Sequence, residues 1–320
     1  MKTKIKIWLI AAISLILIGC MLFGGAMAVL EWDIKKLSTT KYETNEYEIK
    51  EEYESISIDT RAADIVLVKS QDDKTSIVCY EQKNMHHSVK VNDKTLSIEL
   101  IDTRKWYEHI GFNFSTPKIT VYLPASEYDA LSIKASTGDI EIPSDFCFED
   151  IEITQSTGDV TCYSSSSGNI KIKTSTGDIR IENVSAESLD LSVSTGDVTL
   201  LGASCGGDVE IKLSTGKARV ENTKCNNFAS NANTGKLFLK DVLAAQKMRI
   251  ERSTGDVHFD ACDAQSIYVK TSTGDVTGTL LSDKIFFTRT DTGDVDVPKT
   301  TSGGECEIST DTGDIKISIR

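Results

Sequence analysis

The second half of the chain alternates apolar and polar residues in short runs. One kind of run follows a Thr-Gly-Asp sequence, as at Ile140 to Ile142, and another precedes it, as at Ile151 to Ile153. A period of two indicates a strand with one buried face, and no stretch of this half shows the 3.6-residue period of an amphipathic helix. The pattern predicts two short strands per repeat, joined by the Thr-Gly-Asp turn on one side and a looser turn on the other.

The Thr-Gly corner recurs at intervals of 19 or 20 residues. A fixed period of this size is typical of a solenoid, in which each repeat forms one coil stacked on its neighbours. Glycine reaches a positive φ without steric cost, so these glycines are predicted to be structural turn residues. They are Gly138, Gly158, Gly177, Gly196, Gly216, Gly235, Gly255, Gly274, Gly293 and Gly313.

The repeat continues upstream in a weaker form. Ile56 to Ile58, Arg61 to Asp64 and Ile65 to Leu67 have the same layout without the glycine, which indicates a degenerate first coil. Further strands are predicted at 75–80, 88–91, 95–101 and 118–123, and we expect them to cap the open end of the first coil.

The predicted fold is all-β, a parallel β-solenoid of about 10–11 two-stranded coils with an N-terminal β cap, preceded by one transmembrane α-helix. The predicted segments are a cytoplasmic tail at 1–6, the transmembrane helix at 7–30, a linker at 31–45, the β cap with the degenerate coil at 46–130, and the solenoid at 131–320. Because the sequence ends at Arg320 within a coil, we expect that coil to be the open edge, which is either blunted by Lys316 and Arg320 or paired with another molecule.

The N-terminal segment from Ile7 to Leu30 contains no charged residue. A helix needs about 20 apolar residues to cross a bilayer. The lysines before the segment and the acidic residues after it place the N-terminus in the cytoplasm and the remainder of the chain outside. Two alternatives stay open: a cleaved secretory signal, whose apolar core is normally shorter, and a lipoprotein signal, because Leu17 to Cys20 resembles a lipobox.

Charge and composition narrow the possible partners. The formal net charge is −13 at pH 7, which argues against binding of nucleic acid or of anionic lipid through net charge. Aromatic residues make up only 7% of the chain, so a sugar-binding platform of exposed rings is not expected. Seven cysteines follow Cys20, an odd number without a Cys-x-x-Cys motif, and we interpret them as small buried thiols rather than as a disulfide framework.

No arrangement of residues predicts catalysis. The adjacent His86 and His87 are expected to be solvated in a hairpin loop, and the chain has no metalloprotease, nucleophile-elbow or phosphate-loop motif. The coils are nearly uniform in length, so no inserted loop builds a cleft. We therefore predict that the protein is not an enzyme and has no catalytic or cofactor-binding residues.

The aspartates of the corners are the one set of side chains suited to chemistry. We expect them to be turn-forming residues, with bridging of a cation such as Ca²⁺ as the alternative, because stacked carboxylates repel unless they are solvated, hydrogen-bonded or bridged. The candidates are Asp139, Asp159, Asp178, Asp197, Asp256, Asp275, Asp294 and Asp314. Lys217 and Lys236 replace the aspartate in two adjacent coils.

Three segments together resemble a known family. They are the repeated Ala135 to Ile142 motif, the Ile56 to Val68 start and the Lys118 to Pro124 segment, and they are similar to the bacterial "putative adhesin" domain family of unknown function. The layout with a lysine-flanked helix is also similar to LiaG-like envelope proteins of Firmicutes, which are associated with envelope-stress operons. The resemblance covers most of residues 50–320 and implies a solenoid fold and adhesion, with no catalytic residues.

The sequence therefore predicts a single-pass protein of a bacterial cell membrane that displays an acidic solenoid outside. We expect it to be an adhesin or an envelope interaction scaffold, held in the membrane by residues 7–30. Its partner would be an envelope or surface protein or a polysaccharide. The alternative is a non-enzymatic accessory or sensory protein of an envelope-stress system, which would need a membrane partner because six cytoplasmic residues are too few for an output domain.

Overall fold

The computed structural model describes residues 2–33, 41–106 and 115–320. Helix α1 spans Lys2–Val29 and contains an apolar stretch, Ile5–Val29, of mean hydropathy 2.6. The helix therefore begins within the segment 1–6 that was predicted as a cytoplasmic tail. The predicted linker lies partly outside the described residues, and strand β1 already begins at Tyr42 within it.

Twenty-seven strands are assigned in the described part of the chain, and they form one hydrogen-bonded sheet. They are β1 Tyr42–Ile49, β2 Ser55–Ala62, β3 Asp64–Lys69, β4 Thr75–Gln82, β5 Met85–Asn92, β6 Thr95–Asp102, β7 Lys118–Leu123, β8 Glu127–Thr137, β9 Ile140–Ile142, β10 Cys147–Thr157, β11 Val160–Cys162, β12 Ser165–Ser166, β13 Asn169–Thr176, β14 Ile179–Glu182, β15 Ser185–Ala186, β16 Ser188–Thr195, β17 Val198–Leu201, β18 Ser204–Cys205, β19 Val209–Thr215, β20 Ala218–Thr234, β21 Leu237–Thr254, β22 Val257–Thr273, β23 Val276–Leu280, β24 Lys284–Thr292, β25 Val295–Asp296, β26 Gly304–Thr312 and β27 Ile315–Ile319.

The strands wind into a parallel β-solenoid of about ten coils, which confirms the predicted fold. The threonine before each glycine pairs in register with its equivalent in the neighbouring coil. In spatial order these residues are Thr137, Thr157, Thr176, Thr195, Thr215, Thr234, Thr254, Thr273, Thr312 and Thr292. All ten corners therefore lie along one edge of the solenoid.

The interior consists of stacked apolar columns. Ile133, Ile153 and Ile172 form part of one column, and Ile140, Val160 and Ile179 form part of another; each is at most 1% exposed. Burial at strand spacing is what stabilises a coil, because no coil could bury its apolar face alone.

The cysteines after Cys20 follow the same packing. All are free, and six of the seven are buried. Burial raises the pKa of the Cys162 thiol to about 12, so this side chain behaves as a small apolar group at neutral pH. Cys205 lies beside the coil that carries Cys225, and both thiols are free.

At the N-terminal end, two strands pair in parallel with the degenerate first coil, and antiparallel strands pair in turn with those two. Strands β2 and β3 pair in parallel with β8 and β9 of the next coil, and Ala62 aligns with Thr137. On the outer side, β6 pairs with β2 and β7 pairs with β3, both in parallel. The antiparallel pairs follow: β5 with β6, β4 with β7, and β1 with β4. Antiparallel strands cannot continue the parallel stack, so they close this end.

At the other end, the order of the coils in space differs from their order in sequence. Strand β26 lies between β22 and β24, and β27 lies between β23 and β25. The coil of Gly313 is thus inserted between those of Gly274 and Gly293. Our expectation that the coil ending at Arg320 forms the open edge, blunted by Lys316 and Arg320, is therefore wrong; the outermost coil is that of β24 and β25.

One inward-facing position distinguishes the two coils. Ile308 of the inserted coil is 1% exposed and continues the inner column above Val269, whereas the outermost coil has Thr288 at the same position. Val295 of the outermost coil is 44% exposed, while its neighbour Ile315 is fully buried. The coil with isoleucine at this inner position is the one with a neighbour on both sides, and two neighbours bury more apolar surface than one.

Candidate functional site

The corner glycines have a backbone conformation that other residues rarely adopt. Their φ angles lie between 130° and 153°. A Cβ atom at Gly196 would lie 2.1 Å from the carbonyl oxygen of Gly177 in the preceding coil. Both the torsion angle and the close approach of the backbones therefore require glycine at this position.

The aspartates that follow the glycines form a hydrogen-bonded ladder along the corner edge. The Oδ1 atom of each aspartate except Asp294, whose coil is outermost, accepts a hydrogen bond from the backbone N–H of the equivalent residue in the next coil. For example, Asp159 N donates to Asp139 Oδ1 at 2.9 Å, and Asp178 N donates to Asp159 Oδ1 at 2.8 Å. The ladder follows the spatial order of the coils, since Asp314 N donates to Asp275 Oδ1 and Asp294 N donates to Asp314 Oδ1. This arrangement explains the recurrence of aspartate without a bound ion.

The two lysine corners interrupt the ladder. Lys217 still donates its backbone N–H to Asp197 Oδ1 at 2.7 Å. The Nζ atom of Lys236 lies 2.9 Å from Asp256 Oδ2, and this hydrogen bond lowers the pKa of Asp256. Cation bridging by the corner aspartates stays a prediction, but a lysine ammonium already supplies the positive charge at one of these corners.

A different cluster of possible metal ligands lies in the cap. Among the described residues, the one group of three ligand atoms within 4.8 Å of one another belongs to Cys79, Glu81 and His87, all buried. The expectation that His87 is solvated in a loop is wrong: it lies on β5 and is 3% exposed. The sequence separation of six residues between Glu81 and His87 matches no ligand motif, so the pair could be found only from the β4–β5 hairpin.

The hydrogen bonds of this cap cluster form a closed network. Glu81 Oε2 accepts from the backbone N of His87 at 2.7 Å and lies 2.6 Å from its Nδ1, while Asn45 Nδ2 donates to Glu81 Oε1 at 2.7 Å. The second ring nitrogen of His87 lies 2.8 Å from Thr60 Oγ1. Burial raises the pKa of Glu81, but the bonds from His87 and Asn45 outweigh it and hold the pKa below its ordinary value. The network ties together β1, β2, β4 and β5, which suits a structural role.

The solenoid also carries a long shallow groove of about 750 Å³ on the face formed by the strands that precede the corners. Its lining extends from Lys173 to Ser272 and includes the basic side chains Lys212, Arg249 and Lys270. We call it the basic groove. The carboxylate in its lining, Glu251, is paired with Arg249.

The lysines of the groove belong to one column of outward-facing side chains, four residues before each glycine. We call it the lysine column. In spatial order it comprises Lys134, Thr154, Lys173, Ser192, Lys212, Asn231, Glu251, Lys270, Ser309 and Arg289. Over its first six coils, lysine alternates with an uncharged hydrogen-bonding residue. Within the ranges that the structure describes, no carboxylate oxygen lies within 4.0 Å of the Nζ atom of Lys134, Lys173 or Lys270.

A family profile matches the sequence over residues 53–212 and 205–320, which together include the first coil, the cap strands β4 to β7 and all ten corners. The chain belongs to the Toastrack DUF4097 family. A comparison with curated proteins gives no match. The more specific resemblance to LiaG-like envelope proteins stays a prediction.

Solved structures that align over most of this Toastrack chain share little sequence identity with it. A "putative adhesin" from Bacteroides fragilis is 19% identical, with a TM-score of 0.41, and the alignment covers 88% of this chain and 99% of that one. A "putative lipid binding protein" from Parabacteroides distasonis is 16% identical, with a TM-score of 0.47 and coverage of 88% and 98%. A "putative adhesin" from the same species is 11% identical, with a TM-score of 0.46 and coverage of 85% and 98%. We draw no functional argument from these likenesses.

The Toastrack coils bring together all the glycines and aspartates that were singled out in the sequence, and place them on one edge. They do not place three of the aspartates close enough to form a metal-ligand group among the described residues. The basic groove was not found from the sequence, although its signal was available. Reading the fourth position before each glycine in register would have shown Lys134, Lys173 and Lys212 in alternate coils.

Proposed function

We propose that this Toastrack protein is a membrane-anchored attachment protein, which displays its solenoid on the outside of the bacterial membrane and binds other envelope or surface molecules there. The observation that carries the proposal is the continuity of its exposed columns. Each outward position is repeated in register over about ten coils, so the solenoid presents a long and regular surface. Such a surface suits an extended partner better than a small substrate.

The apolar helix supports the anchoring part of the proposal. The Ile5–Val29 stretch is 25 residues long, and none of its most apolar window is buried against the protein. A helix of this length measures about 37 Å, which exceeds the roughly 30 Å of a bilayer core. Lysines precede the apolar stretch and Glu31 and Asp33 follow it, which favours a cytoplasmic N-terminus and an external solenoid.

Fractionation of cells that express the full chain tests the anchoring. We expect the intact chain in the membrane fraction after an alkaline wash, with the solenoid open to antibody on unbroken cells. A Leu15→Arg, Ile16→Arg variant should lose membrane retention, since each arginine at a helix centre costs about 2.5–3.5 kcal/mol on insertion. A Cys20→Ala variant is the control and should be retained. Release of the wild-type chain into the medium, or loss of Cys20→Ala from the membrane, would contradict a retained helix.

Attachment is measured on the same cells. Cells that carry the gene should bind immobilised envelope material more strongly than cells that lack it. A variant without residues 1–6 that still reaches the surface should bind equally well, because attachment needs only the external solenoid. Equal attachment of cells with and without the gene would count against the proposal. Loss of attachment in a variant that lacks residues 1–6 but still reaches the surface would also count against it and favour a sensory role.

A further inference from the structure

The basic groove contrasts with the charge of the whole molecule. The chain has a net charge of −13, yet the groove lining presents four basic side chains and one carboxylate on the outer face, besides the buried Arg252. Two of these charges, on Arg249 and Glu251, are paired with each other, and Lys212 is 2.7 Å from Glu210. An excess of positive charge in a confined groove attracts anions even when the protein as a whole is acidic.

The first three cations of the lysine column are evenly spaced. Lys134, Lys173 and Lys212 lie in alternate coils, so neighbouring cations are separated by two strand spacings, or roughly 10 Å. A compact anion would contact only one of them. A linear polymer that runs along the solenoid axis and carries anionic groups at similar intervals would contact all of them.

The groove also offers hydrogen bonds between the charges. Thr154, Ser192 and Asn231 occupy the alternate coils of the lysine column. A second row of hydroxyl side chains, which includes Ser194, Ser214 and Ser253, lines the groove nearer the corners. Hydroxyl and amide groups between cations suit a ligand that has hydroxyl groups between its anionic groups, which is the chemistry of an acidic polysaccharide.

We infer that the basic groove binds a linear acidic polysaccharide that lies along the solenoid axis, with its anionic groups against the lysine column and its hydroxyl groups against the serines and threonines. This inference rests on the proposed attachment function and names the class of partner. Because the exposed ion pairs are individually weak, binding depends on several coils acting together.

Hyaluronate is a suitable probe, because this linear polysaccharide carries one carboxylate per disaccharide; its methyl-esterified form is the uncharged control. The full chain in detergent micelles would be titrated with both by calorimetry. The test variant is Lys173→Gln, Lys212→Gln, Lys270→Gln. The matched control variant is Lys224→Gln, Lys240→Gln, Lys316→Gln, which removes the same net charge from lysines outside the groove lining.

We expect the test variant to bind hyaluronate about ten-fold or more weakly than the wild type, from the loss of three exposed ion pairs, and the control variant to change less than two-fold. Wild-type binding should weaken as salt is raised, and the methyl ester should not bind. Equal weakening in both variants, equal binding of the ester, or no binding of hyaluronate would overturn the inference. If cells displaying the wild-type chain still attach to envelope material in that case, the proposed function stands and only the choice of ligand fails.

Discussion

At the scale of single residues, each corner depends on two neighbouring residues with different roles. The glycine allows the backbones of adjacent coils to approach, and the aspartate after it accepts the N–H group that the turn of the next coil leaves unpaired. The two roles explain why Gly and Asp recur together, since a short acidic side chain readily accepts hydrogen bonds from backbone N–H groups in turns.

Gly196→Val should therefore destabilise the solenoid. Valine resists a φ of 146°, and its Cβ atom would overlap with the carbonyl oxygen of Gly177. We expect a loss of about 3 kcal/mol or more, which corresponds to a melting temperature lower by roughly 5–10 °C in circular dichroism. The control is Gly206→Ala, where the nearest atom belongs to the flexible side chain of Glu187. Equal melting temperatures for Gly196→Val and the wild type would refute this explanation of the corner.

Glu81→Gln should destabilise the cap in a pH-dependent way. Glutamine keeps the volume but removes the charge that accepts bonds from His87 and Asn45, at a cost of about 1–3 kcal/mol. Because the pKa of Glu81 in the folded state is below its ordinary value of 4.5, its stabilising effect is complete above that pH and is lost as the pH falls through the lowered pKa.

The difference in melting temperature between wild type and Glu81→Gln is the quantity to follow. It should be large at pH 7 and shrink below about pH 4.5, where the wild-type carboxylate takes up its proton. His87→Gln serves as a companion variant, because it removes the ring nitrogen beside Glu81 while leaving in place the carboxylate and its bonds from Asn45 and from the backbone N–H of residue 87. A difference that stays constant from pH 7 to pH 3 would show that ionised Glu81 is not what stabilises the cap.

At the scale of secondary-structure elements, the alternation of apolar and polar residues was sufficient to predict two strands per coil and their stacking. The order of the last two coils could not be predicted, because the Thr-Gly-Asp corners of Gly293 and Gly313 are identical. The physical signal was the inward-facing Thr288, which stands where Ile308 and Val269 supply apolar side chains. The cap network was also missed, because residues that are distant in sequence meet there only through strand pairing.

Engineered disulfides test the order of these coils. Lys270 pairs with Ser309, and Ser309 pairs with Arg289. Adjacent strands are about 4.8 Å apart, within the range of a disulfide, whereas Lys270 and Arg289 are separated by about twice that distance. Cysteines at 270 and 309 should therefore cross-link on mild oxidation, and cysteines at 270 and 289 should not.

The pair 289 and 309 is the positive control, since these coils are neighbours in either order. Cross-linked and uncross-linked chains can be separated on a denaturing gel without reductant. Efficient cross-linking of 270 with 289, together with none between 270 and 309, would show that the coils stack in the order of the sequence.

At the scale of the whole molecule, the protein combines an apolar helix, a closed cap and a solenoid whose outer surface is repeated along its length. The sequence predicted this organisation, because repeats and apolar stretches are local signals. It did not reveal a binding face, since single exposed residues vary from coil to coil. Only the register shows that Lys134, Lys173 and Lys212 share one column, and the proposed ligand follows from that spacing.

The exposed columns present a continuous binding surface only if they keep strand spacing over the full length of the solenoid. Pulsed electron spin resonance on the full chain, in a Cys20→Ala background, measures this directly. Spin labels at 134 and 231 are five coils apart, and labels at 134 and 270 are seven coils apart, so we expect distances of about 24 Å and about 34 Å. Distances that do not increase with the number of coils would contradict the continuous solenoid and the spaced charges that depend on it.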